Sequence, residues 1–130
     1  MAYTANEQVT SVTGSRTPRV LPKLVQAKTL ASGSGTIAPL SPMAFNTSTG
    51  KWVPWATGGA NGTGTISALM GLESATLDGS NDILANLIMA GEVHFDDIPV
   101  VGGTLAQLKT AVISDLRSRG FYIQGLADWR

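Results

Sequence analysis

MAFNTSTGKWVPW, residues 43–55, is the stretch from which the fold is read. MAFN and KWVPW are short apolar segments suited to a pleated surface. The TSTG between them holds Gly50, which can supply positive φ, so the spacing predicts a β-hairpin with a four-residue loop. Trp52 and Trp55 are three residues apart and cannot share one face of a regular strand, where side chains alternate. Pro54 is expected to bend the second strand.

Downstream, TGGANGTG (57–64) reads as a loop. TISALMGL (65–72) is almost continuously apolar and predicts a strand buried on both faces. ESATLDGSND (73–82) reads as a turn, and ILANLIMA (83–90) as a second apolar strand broken by Gly91. In EVHFDDI (92–98), Glu92, His94 and Asp96 alternate with Val93 and Phe95, which predicts one polar and one apolar face. The clear helix is GTLAQLKTAVISDLRSRG (103–120). Thr104 and Gln107 form the S/T-x-x-E/Q capping box. Leu105, Leu108, Val112 and Leu116 make its apolar stripe. Asp115 and Arg119 are spaced for an i,i+4 ion pair, Arg117 and Arg119 complement the helix dipole, and Gly120 is the C′ residue. FYIQGL (121–126) is the closing strand.

Upstream, APLSP (38–42) is extended and irregular, and the bonds before Pro39 and Pro42 are the two candidates for a cis peptide. VLPKLVQAKTL (20–30) is apolar with interspersed Lys. Pro22 bars it from the middle of a sheet, so it reads as an edge strand or one awaiting a partner. ASGSGT (31–36) reads as a flexible hinge. Residues 1–19 carry few large apolar groups, too few to offset the entropy of ordering. The expected organisation is an N-terminal arm, 1–36, and a body, 37–130. The fold class is mixed α/β and strand-rich: a small sheet or barrel-like body, one main C-terminal helix and an extended arm. A tethered apolar strand suits β-augmentation, in which it joins another protein's sheet.

The 130 residues suffice for one domain. Charged residues are 14% of the chain, against about 25% in ordinary soluble domains. Nine basic and nine acidic side chains cancel, which disfavours a dedicated nucleic-acid binder. The distribution is uneven. Arg16, Arg19, Lys23, Lys28 and Lys51 face Glu7 alone in residues 1–60, whereas residues 61–130 are net acidic. The absence of Cys excludes disulfides and thiolate chemistry, and a single His excludes a multi-His metal site. Residues 1–15 lack the apolar core of a secretory leader, and no apolar run is long enough to span a bilayer. A product that is intracellular, or assembled from the cytoplasm, is expected.

Catalytic constellations are weak. Glu92, His94 and Asp96 on one strand would be too far apart to converge on a metal. Asp96 and Asp97 are adjacent and would point to opposite faces. His94 is the sole imidazole and no G-x-S-x-G elbow accompanies it. Neither Gly-rich loop matches a phosphate-binding pattern. Trp52, Trp55 and Trp129 are candidates for a partner or sugar surface, or for core packing.

APLSPMAFNTSTGKWVPWATGG (38–59) resembles the lambda-type head decoration proteins of tailed phages. The resemblance rests on Pro42, the Thr47–Ser48 turn, Lys51, Val53 and Trp55. It continues in order through a Gly-rich loop, ISALMG, an acidic turn and NLIMAGEVHFDDI, where Gly91, Asp96, Asp97 and Pro99 correspond to the family's strand–Gly–strand and acidic end. It covers roughly residues 31–126. The arm is longer and more basic than the family type, and the helix after Pro99 longer and better capped. The resemblance implies a non-enzymatic homotrimer without cofactors on the outside of an expanded capsid at threefold positions, made in the host cytoplasm. It also implies an arm that extends a sheet of the major capsid protein, and no contact with nucleic acid or membrane. On that basis Val20, Leu21, Leu24 and Val25 are the expected strand anchors. Arg16, Arg19, Lys23 and Lys28 are the expected steering charges, and Trp52 and Trp55 a possible interface. The alternatives are a tail or fibre module and a carbohydrate-binding module.

Overall fold

The computed structural model describes residues 20–126. The strands are β1 (Val20–Leu30), β2 (Ser34–Ile37), β3 (Pro42–Asn46), β4 (Lys51–Pro54), β5 (Ala68–Met70), β6 (Ala75–Asp78), β7 (Ile83–His94) and β8 (Phe121–Gln124). One helix, α1 (Leu105–Ala111), continues through a π turn (Val112–Leu116) and a 3₁₀ turn (Arg117–Arg119). Six strands form one sheet in the order β1-β4-β3-β5-β7-β8, and an added pairing of β1 with β7 closes it on itself. β2 and β6 form a separate antiparallel pair. The body is thus strand-rich and mixed with one C-terminal helix, as expected.

The hairpin read from residues 43–55 is present. Phe45 lies opposite Trp52, and their rings tilt against each other at 5.4 Å. Gly50 sits at φ 72°, the conformation the loop requires. The alternation argument for the tryptophans also holds, because the sheet separates two cores. Trp52 packs with Leu30, Met43, Met70 and Leu87 on one side. Trp55 packs with Leu69, Ile88, Phe95, Leu108 and Leu116 on the other. β4 ends at Pro54, which has no amide hydrogen to continue a ladder.

In residues 20–36 and 73–82, long-range pairing overrides local composition. Residues 20–30 do form the expected strand, but it is not awaiting another protein. It runs antiparallel to β7, from Val20 opposite Val93 to Leu30 opposite Ile83. The Gly/Ser hinge is partly β2, and the acidic turn contains β6, which pairs with it. The boundary at residue 36 therefore does not separate an arm from a body; the described chain belongs to the body from Val20 onward. Gly91 does not break β7, because it sits where the strands approach so closely that a Cβ would lie 2.6 Å from the Leu21 carbonyl oxygen. The helix expected over 103–120 is present from Leu105 to Arg119, α-helical only as far as Ala111; its capping box forms in both directions, Leu108, Val112 and Leu116 are buried, and Gly120 ends it in the left-handed conformation at φ 93°. Among the described residues no peptide bond is cis.

Candidate docking surface

β1 and β7 form a long antiparallel ribbon, whose β7 side pairs with β5 at Leu87 and Ile88 and with β8 from Gly91 to His94. Two irregularities shape it. Lys23 has no opposite residue on β7, and Met89 has none on β1, so one bulge compensates the other. From Val25 to Leu30 the register with β7 is regular. On its other edge β1 meets a strand only at Leu30, opposite Trp52 of β4. Among the described residues, no strand lies along the edge from Val20 to Thr29.

Residues 21–27 are all exposed. Leu21 is 65% exposed, Leu24 45% and Val25 47%, high values for large apolar side chains in a strand. Beside them, Leu84 of β7 and Leu72 of the β5–β6 connection are also exposed. Val25, Leu72 and Leu84 line a groove of about 550 Å³ whose walls also include Pro22, Ala27, Glu73 and Ile88. Lys23 and Lys28 flank its β1 wall, and neither has an ion-pair partner among the described residues. Clustered exposed apolar side chains of this kind mark interaction sites.

The expected contact residues thus divide. Val20, Leu21, Lys23, Leu24, Val25 and Lys28 lie together on the ribbon, with Val20 tucked against the helix-side core. Arg16, Arg19 and Trp129 lie outside the described residues. Trp52 and Trp55 are 8% and 2% exposed, so both are core residues and neither offers an interface or a sugar platform. The Trp55 indole N–H donates to the Gly64 carbonyl at 3.0 Å and pins the 57–64 loop instead. Leu72 and Leu84 lie at or near the ends of apolar runs that read from composition as wholly buried.

The acidic candidates resolve into structural roles. β7 ends at His94, and Asp96 and Asp97 sit in a 3₁₀ turn, so the expected alternation stops there. His94 is 7% exposed, and its Nδ1 accepts from the Asp96 N–H at 3.2 Å. Among the described residues, no three metal-ligating side chains gather. Asp115 does not form the expected ion pair with Arg119. Its Oδ2 accepts from the Ile66 N–H at 2.9 Å, tying the π turn to the start of the buried strand region. Asp82 accepts from Lys51 Nζ at 2.6 Å and from the Ser32 N–H at 2.9 Å. The lysine contact first, then the amide, hold its carboxyl below the ordinary value. Asp78 is lowered in the same direction by the N–H groups of Asn81 and Ser80 and by the Asn81 side chain. Among the described residues, no helix is long and apolar enough to cross a membrane. No protein-family model matches the chain, and no curated protein matches it significantly.

Proposed function

We propose that this chain is a phage head decoration protein: a non-enzymatic structural component that binds the outside of the expanded capsid as a homotrimer and stabilises the shell against internal pressure. The observation that carries this reading is the ribbon, where Leu21, Leu24 and Val25 stand exposed beside an edge without a partner strand. A monomer gains nothing from such a surface, whereas a protein that must adhere to a large assembly does. The ordered resemblance of residues 31–126 to the decoration family supports the same reading. The shell contact proposed here differs from the one expected of the sequence, because β1 is retained by its own body and presents a face and an edge. Lys23 and Lys28, with Arg16 and Arg19 just before β1, supply positive charge for an acidic shell surface. Three such surfaces on one trimer would multiply weak contacts, by about 10²–10⁴ in avidity where the geometry permits simultaneous engagement.

The test is sedimentation of the full chain with empty expanded phage heads. Saturable, stoichiometric retention as trimers is expected, weakening as salt is raised, because exposed charges are screened over about 8 Å at physiological ionic strength. Free chain left wholly in the supernatant at low salt rules the proposal out.

A further inference from the structure

We infer that Trp129 of one copy of this chain fills the groove between the ribbon and residues 71–75 of the next copy, with Arg130 against Glu73, and that three such contacts close the trimer. The inference rests on the trimeric reading proposed above and names what holds it together. In the regular register of the ribbon, Val25, Ala27 and Thr29 stand opposite Ile88, Asn86 and Leu84, so these six side chains share one face. Ile88, at one end of that face, is buried in the helix-side core with Leu108 and Leu116. Val25, Ala27, Asn86 and Leu84 are exposed. Among the described residues, the helix therefore covers only part of the sheet face, and the remainder is the floor of the groove. Its side wall is the connection after β5. The Gly71 N–H fastens that connection to the Asn86 carbonyl at 3.0 Å, and Leu72 and Glu73 follow as lining residues.

The occupant has to match an apolar floor that holds one amide, Asn86, and a wall that holds one carboxylate, Glu73. Trp52 and Trp55 are already taken up by the two cores. Trp129 is the remaining tryptophan, and it stands between Asp128 and Arg130. A buried indole N–H needs an acceptor, which the Asn86 side chain supplies. In an extended segment the neighbours of Trp129 point away from it. That frees Arg130 for Glu73 on one wall and Asp128 for Lys23 beside the other. Residues 1–19 bring Arg16 and Arg19 but no tryptophan. A chain cannot serve its own groove in this way. β8 runs parallel to β7 with Gln124 beside His94, and Leu84 lies ten residues back along β7, about 33 Å of strand. Trp129 is five residues beyond Gln124, about 18 Å at full extension. The donor is thus a neighbouring copy, and a head-to-tail contact of this kind can close into a ring.

Sedimentation equilibrium of the full chain, without heads, tests the assignment. The chain should be a trimer. Trp129→Ala should weaken association by about thirtyfold or more while thermal unfolding stays cooperative. Arg130→Glu and Glu73→Arg should each weaken it about fivefold, and the two together in one chain should restore it. Leu84→Glu spoils the groove of a chain whose Trp129 is intact. Mixed with Trp129→Ala, it should give one-to-one dimers through the single remaining contact and no closed ring. A trimer that persists in both Trp129→Ala and Leu84→Glu places the subunit contact elsewhere and overturns the inference, while decoration stands if those trimers still bind heads. A full chain that stays monomeric at every concentration overturns it as well. A trimer that both substitutions dissociate, but that does not bind empty expanded heads, upholds the groove contact and removes decoration.

Discussion

Two single residues show how much depends on local geometry. Asp82 joins β4, through Lys51, to the Ser32 amide after β1, and both contacts favour its ionised form. A carboxyl whose folded value is depressed stabilises the fold above its unfolded value, and that contribution is lost as pH falls through the folded value. The window therefore lies below 3.8, the ordinary value. Lys51→Ala should move the Asp82 titration up toward 3.8, read by NMR of the side-chain carboxyl carbon. An unmoved titration would show that the lysine contact is not maintained in solution. Gly102 is the second case. It sits at φ 82°, and a Cβ there would fall on the Trp55 carbonyl oxygen. Gly102→Ala should destabilise the chain by about 2 kcal/mol, read as a lower denaturant midpoint at unchanged slope. The neighbouring Thr57 N–H donates to the Gly102 carbonyl at 2.9 Å, so this junction also positions the 57–64 loop.

The elements differ in how far the sequence specified them. α1 began where the capping box placed it, because Thr104 and Gln107 satisfy each other's backbone groups within one turn. Thr104→Ala should cost about 1 kcal/mol, measured by thermal or urea unfolding. A cost near zero would mean that the following core contacts, not the cap, fix the helix start. β1 is the opposite case. Its boundaries agree with the apolar run, but its partner is β7, more than fifty residues away in sequence. Composition records that a segment prefers to be extended; it does not record which edge it meets. The same limit explains β2 and β6, whose Gly, Ser and acidic residues suggest turns until they pair with each other. Leu40 at φ 62° is a further instance. Its buried side chain and the bonds from its N–H to the Met70 and Gly71 carbonyls hold a bulky residue where isolated chains rarely place one.

For the whole molecule, the decisive fact is that β1 closes the sheet and its last residue, Leu30, is 1% exposed in the hairpin-side core. Removing residues 1–19 should therefore leave a cooperatively folding body, whereas removing 1–30 should expose the β7 edge and abolish cooperative unfolding, both followed by circular dichroism. A stable, cooperative 31–130 fragment would show that β1 is dispensable to the fold. Local signals, each acting within a few residues, were enough to determine the hairpin at 43–55, the capped helix, the extended character of 20–30 and the opposite faces of Trp52 and Trp55. Only the tertiary structure decided that β1 is held by its own chain, that both tryptophans are core, and that Leu72 and Leu84 share a surface with Val25. Those outcomes depend on strand pairing between distant segments, which is set by register and by how one sheet divides two cores.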